Sequence, residues 1–152
     1  MVLTLNFKET LLNACKKVLV ERMENANSAM QAAQEAANGE EKSSAGDKYE
    51  TSRAMGHRDR DMYARQLVEA KNELQKLEKM KLEPSEIIKS GSLIEMENTL
   101  YFIATGIGKL EVLDNTIIVI SKESPLAKSM LGKKLNEEID FNGKKLKIDN
   151  LV

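Results

Sequence analysis

Between Asn6 and Asn38 the chain contains neither proline nor glycine, and apolar residues recur at Leu12, Cys15, Leu19, Met23, Ala26, Met30, Ala33 and Ala37. The steps are 3, 4, 4, 3, 4, 3 and 4 residues, the rhythm that lays one narrow apolar stripe along an α-helix. Such a helix needs a partner running alongside it. The stretch from about Asp47 to Lys81 supplies one, with Leu67, Ala70, Leu74 and Leu77 on one face and Met55, Met62 and Tyr63 continuing it less regularly. Asn38-Gly39 is expected to stop the first helix, and the Ser and Gly residues up to Gly46 to make the turn. The economical arrangement is an antiparallel α-helical hairpin, a coiled coil with its tip near residues 39–50. A helix of roughly 33 residues extends about 50 Å. Because the stripe narrows from Leu to Ala toward the tip, burial there is modest, and the tip is expected to be the least stable part.

At Glu83-Pro84 the pattern changes, since Pro84 disfavours helix for the residue before it. Apolar residues then come in short runs, giving candidate strands at Ser92–Glu95, Thr99–Ala104, Leu110–Leu113, Thr116–Ser121, Glu138–Phe141 and Lys144–Leu151. Turn residues separate them at Glu97-Asn98, Gly106-Ile107-Gly108, Asp114-Asn115 and Asn142-Gly143. One short helix fits between Pro125 and Leu131, with Ser124 as N-cap and Gly132 as terminator. The fold class is therefore α+β: a helical hairpin over residues 1–83, then a small antiparallel β-sheet domain with one short helix over residues 84–152.

Composition narrows the function classes. Aromatic residues are only 4% and charged residues 31% of the 152, a balance that suits long amphipathic helices. The lone Cys15 sits on the apolar stripe, so there is no disulfide framework or thiolate metal site, and a cytoplasmic location is expected. No apolar run reaches the ~18 residues of a membrane span, and no membrane role is expected. The net charge of −1 argues against capture of nucleic acid by the overall field. Arginine is nevertheless confined to the first half, at Arg22, Arg53, Arg58, Arg60 and Arg65, where bidentate contacts to phosphate or carboxylate are available. Asp59 and Asp61 interleave with the last of these, as on a solvated, salt-bridged helix face.

Asp47 and Glu50 admit two readings. As helix grammar, Asp47 caps the second helix and Glu50 closes a capping box, or Ser44 caps and Asp47 closes it, worth roughly 1 kcal/mol. As chemistry, two carboxylates at i and i+3 on an exposed tip can share one Mg²⁺ whose other ligands come from a partner. His57 reads as an exposed helix residue, and Gly106-Ile107-Gly108-Lys109 as a turn rather than a phosphate loop, because no helix follows it.

Gly46-Asp47-Lys48-Tyr49-Glu50 at the tip, followed by Ser124-Pro125-Leu126-Ala127-Lys128-Ser129-Met130-Leu131-Gly132-Lys133-Lys134 in the sheet domain, resembles the bacterial Gre-type transcript cleavage factors (GreA/GreB-like). Their order and spacing agree over nearly the whole chain. The resemblance implies an FKBP-like C-terminal domain that docks on bacterial RNA polymerase, through Ser124, Pro125 and Leu126, while the hairpin enters the secondary channel. It implies that Asp47 and Glu50 act at the polymerase active centre as Mg²⁺ ligands and water positioners, promoting hydrolysis of backtracked RNA by the polymerase's own site. The free protein would then hold no cofactor, act on no small-molecule substrate and be no enzyme by itself. Arg58, Arg60 and Arg65 resemble the family's basic patch that helps hold the transcript near its 3′ end, and Arg53 is a further candidate contact to RNA phosphate.

The chain departs from the family after Glu50, where Thr51-Ser52-Arg53-Ala54 replaces Asn-Ala-Glu-Tyr. This removes an acid and adds a cation, which motivates a second hypothesis: a secondary-channel regulator that does not promote cleavage. A third, an FKBP-like isomerase or chaperone, needs an aromatic pocket, for which that half offers Tyr101, Phe102 and Phe141.

Overall fold

The computed structural model describes residues 3–40 and 46–152, with the side chains of Glu40, residues 46–50 and Ser52 outside the described set. The elements are α1 (Leu5–Glu40), α2 (Gly46–Glu78), β1 (Leu93–Met96), β2 (Thr99–Ile103), β3 (Gly108–Val112), β4 (Asn115–Ile120), α3 (Pro125–Met130), β5 (Glu138–Phe141), β6 (Lys144–Lys147) and β7 (Asn150–Leu151). This is the expected α+β order of a helical hairpin followed by a sheet with one short helix. Two compact units divide the chain: Lys17–Gln75, and Met1–Lys16 together with Lys76–Val152. The second unit thus takes in both outer helix ends as well as everything after Pro84.

Within Lys17–Gln75 two contacts fix the helices as antiparallel. Gly56 of α2 stands against Ala37 and Ala33 of α1, and Arg60, four residues on, reaches Gln34. A Cβ on Gly56 would lie 2.9 Å from the Ala37 Cβ and 3.3 Å from the Ala33 carbonyl oxygen, so the backbones approach more closely here than a side chain allows. At that register, equal rise along both helices brings Ala26 level with Leu67 and Leu19 level with Leu74. The stripe read from α1 is the buried one: Leu19, Ala26 and Ala37 are buried, and Met23, Met30 and Ala33 half-buried.

The stripe on α2 needs correction. Met55 and Met62 are 58% and 37% exposed. The buried or half-buried line instead runs back from Leu74 through Ala70, Leu67, Tyr63 and Arg60 to Gly56, at the same alternating helical steps. A glycine and an arginine hold seam positions, and a count of apolar residues passes over both. The helix limits also move: α1 runs through Asn38-Gly39 to Glu40, and α2 is under way from Gly46. The expected turn, with Ser43 and Ser44, lies outside the described residues.

In the other unit the five-stranded sheet has the order β3-β4-β2-β1-β7, and β5 and β6 form a separate two-stranded ladder. The expectation of an antiparallel sheet fails at one pairing: β2 and β4 run parallel, with Leu100 opposite Ile117 and Ile103 opposite Ile120. The sheet is mixed because the β3–β4 hairpin folds back with β4 inserted next to β2 and β3 left outermost. Turn residues report local chain reversal, and the reversals were correctly placed to within a residue; neighbour order is non-local. The β3–β4 turn is Leu113-Asp114, with φ of 49° and 62°, rather than Asp114-Asn115. The final run splits into β6 and β7 because Asp149 leaves the ladder, its N–H donating to the Glu95 carbonyl at 2.8 Å.

Alternation divides the sheet residues between two faces. Ile94, Met96 and Ile103 pack with Ala127 and Met130 of α3 and with Ile88, Ile139 and Ile148. Leu93, Leu100, Phe102, Ile117 and Val119 point the other way and are also buried, as are Leu3 before α1 and Leu11, Leu12, Cys15 and Leu77 of the helix ends in this unit. Among them lies one charged side chain. Lys8 is 1% exposed, and its Nζ donates to the carbonyls of Glu83 and Val152 at 3.0 Å each. Burial, reinforced by the nearby Lys89 and opposed by Glu83, holds its pKa below the ordinary lysine value.

Candidate functional site

Asp47 lies inside the first turn of α2 and Glu50 at the start of its second, since the helix is under way from Gly46. Acidic residues are favoured near a helix N-terminus whether or not they cap it. Positions three apart on a helix share a face. Two hard oxygen donors suit Mg²⁺ and leave most of its six positions to other ligands. The side chains of Asp47, Tyr49 and Glu50 lie outside the described set, as does the alternative cap Ser44. No cluster of three or more His, Cys, Asp or Glu able to hold a metal occurs among the described residues.

The four arginines after the tip fall into two pairs. Arg58 and Arg65, seven apart and both exposed, share one helix face; Arg53 and Arg60, also seven apart, share another. Arg60 is engaged: its Nη1 donates to Gln34 Oε1 at 2.7 Å and its Nη2 to Asp61 Oδ1 at 3.0 Å. Gln34 in turn donates from Nε2 to Asn38 Oδ1 at 2.9 Å. This polar chain crosses the hairpin seam one turn from the Gly56–Ala37 contact, and polar seam residues of this kind fix register. Sequence reading placed Arg60 with the exposed cations and gave no hint of Gln34. The clue available was Arg60's place on the line through Tyr63 and Leu67.

His57, expected to be exposed, is half-buried, and its Nδ1 is buried with no hydrogen-bond partner among the described residues. It directly follows the buried Gly56. Cys15 is fully buried, and burial pushes its thiol up to about 12, which removes it as a nucleophile.

The Ser124–Lys134 segment folds as its residues dictate. Ser124 has extended backbone and its Oγ accepts from the Ala127 N–H at 3.2 Å, Pro125 occupies the first turn, and Gly132 follows at φ +85°. Pro125 is exposed, Leu126 is half-buried against the core, and Ala127 and Met130 lie within it. Ser124 and Leu126 therefore have structural duties whatever else they do. The Gly132 N–H donates to the Ile88 carbonyl at 2.9 Å, and Ile87 bridges Lys134. On the segments joined by that pairing, Ile87, Leu131 and Leu135 are exposed apolar residues, at 44%, 38% and 48%. Sequence reading missed them because only the fold joins residue 87 to residues 131–135.

No family model matches the chain, and no curated protein matches it. Solved structures do. The transcription factor Gfh1 is 14% identical, with 91% of this chain and 93% of that one covered, at a TM-score of 0.36. The GreA factor homolog 1 (Gfh1) protein of Thermus thermophilus is 16% identical, covering 91% and 95%, at 0.37. Thermus aquaticus Gfh1 is 18% identical, covering 91% and 94%, at 0.33. Among the described residues, no helix is long and apolar enough to cross a membrane.

Proposed function

We propose that this chain is a Gre-like elongation factor of bacterial RNA polymerase, which enters the secondary channel with its helical hairpin and stimulates hydrolysis of backtracked RNA. The observation that carries the reading is the position of Gly46-Asp47-x-x-Glu50 at the opening of the second helix of an antiparallel hairpin. A carboxylate pair there is available to a site too narrow for a whole domain. Mg²⁺ shared with the polymerase would meet Asp47 and Glu50 and supply charge stabilisation for phosphoryl transfer. The chain contributes the carboxylates and the reach, and by itself is not an enzyme. Docking would run through Ser124, Pro125 and Leu126, of which Pro125 is exposed on a segment anchored by the Ser124 cap.

A second reading is favoured by one residue. Arg53 lies three positions after Glu50, close enough on the helix to pair with it and offset part of its charge. On this reading the protein occupies the channel without promoting cleavage. The isomerase reading lacks support: Phe102 is buried on one sheet face and Tyr101 lies on the other, so the two do not wall one cavity.

Backtracked elongation complexes with labelled RNA and Mg²⁺ test the proposal. The native chain is expected to release short 3′ fragments, and the Asp47→Ala/Glu50→Ala variant to bind without doing so. Binding without cleavage by both would establish the second reading, and absence of binding would overturn both.

A further inference from the structure

β3 is an open edge. It forms one end of the five-stranded sheet, and among the described residues no hydrogen bond reaches its outer side. The opposite end, β7, is only two residues long, whereas β3 offers the five residues Gly108–Val112. Unpaired backbone of that length is a template for another strand. We propose that β3 pairs antiparallel with β3 of a second copy of this chain, about a two-fold axis at Leu110, joining the two sheets into one. The inference stands apart from the polymerase reading, whose candidate residues it does not use.

The residue pattern selects both partner and register. With Leu110 opposite the partner's Leu110, Lys109 faces the partner's Glu111 and Glu111 faces the partner's Lys109, so one surface is complementary to itself. Both side chains are exposed, and neither has an ion pair among the described residues. Moving the axis by one residue in either direction sets Lys109 against Lys109 of the partner subunit, or Glu111 against Glu111 of the partner subunit, and like charges directly opposite oppose pairing. Val112 meets the partner's Gly108, where a side chain would find nothing within 4 Å in the single chain.

A second observation lies in the turn. Leu113 is 70% exposed and has φ +49°, a conformation costly for leucine at a place where Asn or Gly is usual. The proposed register brings Leu113 level with Ile107 of the partner subunit, so the exposed leucine gains an apolar neighbour.

Sedimentation equilibrium of the full chain from about 1 µM to about 1 mM tests the pairing. A monomer–dimer equilibrium is expected. Lys109→Glu or Glu111→Lys alone places like charges at both symmetry-related pairs and should weaken the dimer about tenfold. The double variant Lys109→Glu/Glu111→Lys restores opposite charges and should restore association. Leu110→Cys should oxidise to a cross-linked dimer, because directly opposed strand residues meet disulfide geometry, while Thr116→Cys on β4 should not. A monomer at every concentration, a dimer indifferent to single reversals, or one that the double reversal leaves weakened overturns the proposal.

Discussion

The hairpin unit and the sheet unit bury their interiors by different means. Along Lys17–Gln75 the buried side chains among the described residues are Leu19, Ala26, Ala37 and Ala70, so much of the contact is made by small residues and by Gly56. In the sheet unit they include the larger Phe102, Leu93, Ile94, Met96, Ile103, Ile117 and Met130. Burial stabilises in proportion to apolar area, about 25 cal/mol per Å². The sheet unit is therefore held by volume, the hairpin by close approach and by the Gln34–Arg60 layer. A seam built largely of small residues opens locally with less cost than a filled core.

The largest effect expected from this contrast lies in the sheet. Phe102→Ala removes a fully buried ring from the central strands and should cost about 3–5 kcal/mol, measured by denaturant unfolding. A loss near that of an exposed site would mean that the unit repacks freely and the contrast is false.

Lys8→Met comes next. Keeping the side-chain volume while leaving the carbonyls of Glu83 and Val152 without their donor should cost about 2 kcal/mol. The same variant carries a pH signature. Folding depresses the Lys8 pKa below 10.5, so the unfolded chain binds more protons in the window beneath that value. Stability should accordingly rise as pH climbs through the window toward 10.5, then level off. The rise should be smaller in Lys8→Met, and equal slopes would remove Lys8 as its source.

The smallest effect belongs to the hairpin. Gly56→Leu forces the helices apart at Ala37, an overpacking cost of about 1–3 kcal/mol less about 1 kcal/mol of helix propensity, or about 1 kcal/mol net. Amide exchange should accelerate over the seam residues 30–37 and 56–63 and stay unchanged in β1, β2 and β4. Equal acceleration in both would show that the units unfold together.

Legibility from sequence follows the range of the interactions. The α1 stripe could be read because helix periodicity is local, and α3 because cap, proline and glycine stand within nine residues of one another. Gly56 and Arg60 were missed on α2 because seam membership is set by what lies opposite. The motif Gly46-Asp47-x-x-Glu50 was legible as residues, and the helix start places it within the opening turns of α2. The apolar group of Ile87, Leu131 and Leu135 had no local signal at all.

The sequence by itself determined the α+β order, the hairpin and the turns of the sheet to within a residue, because periodicity, capping and positive-φ preferences act over a few residues. Only the tertiary structure decided that β4 lies parallel beside β2, leaving β3 at the edge, and that Lys8 is enclosed by Glu83 and Val152. Each joins segments distant in the chain, and the free energy that selects such contacts comes from burial and hydrogen bonding formed only when the chain has closed on itself.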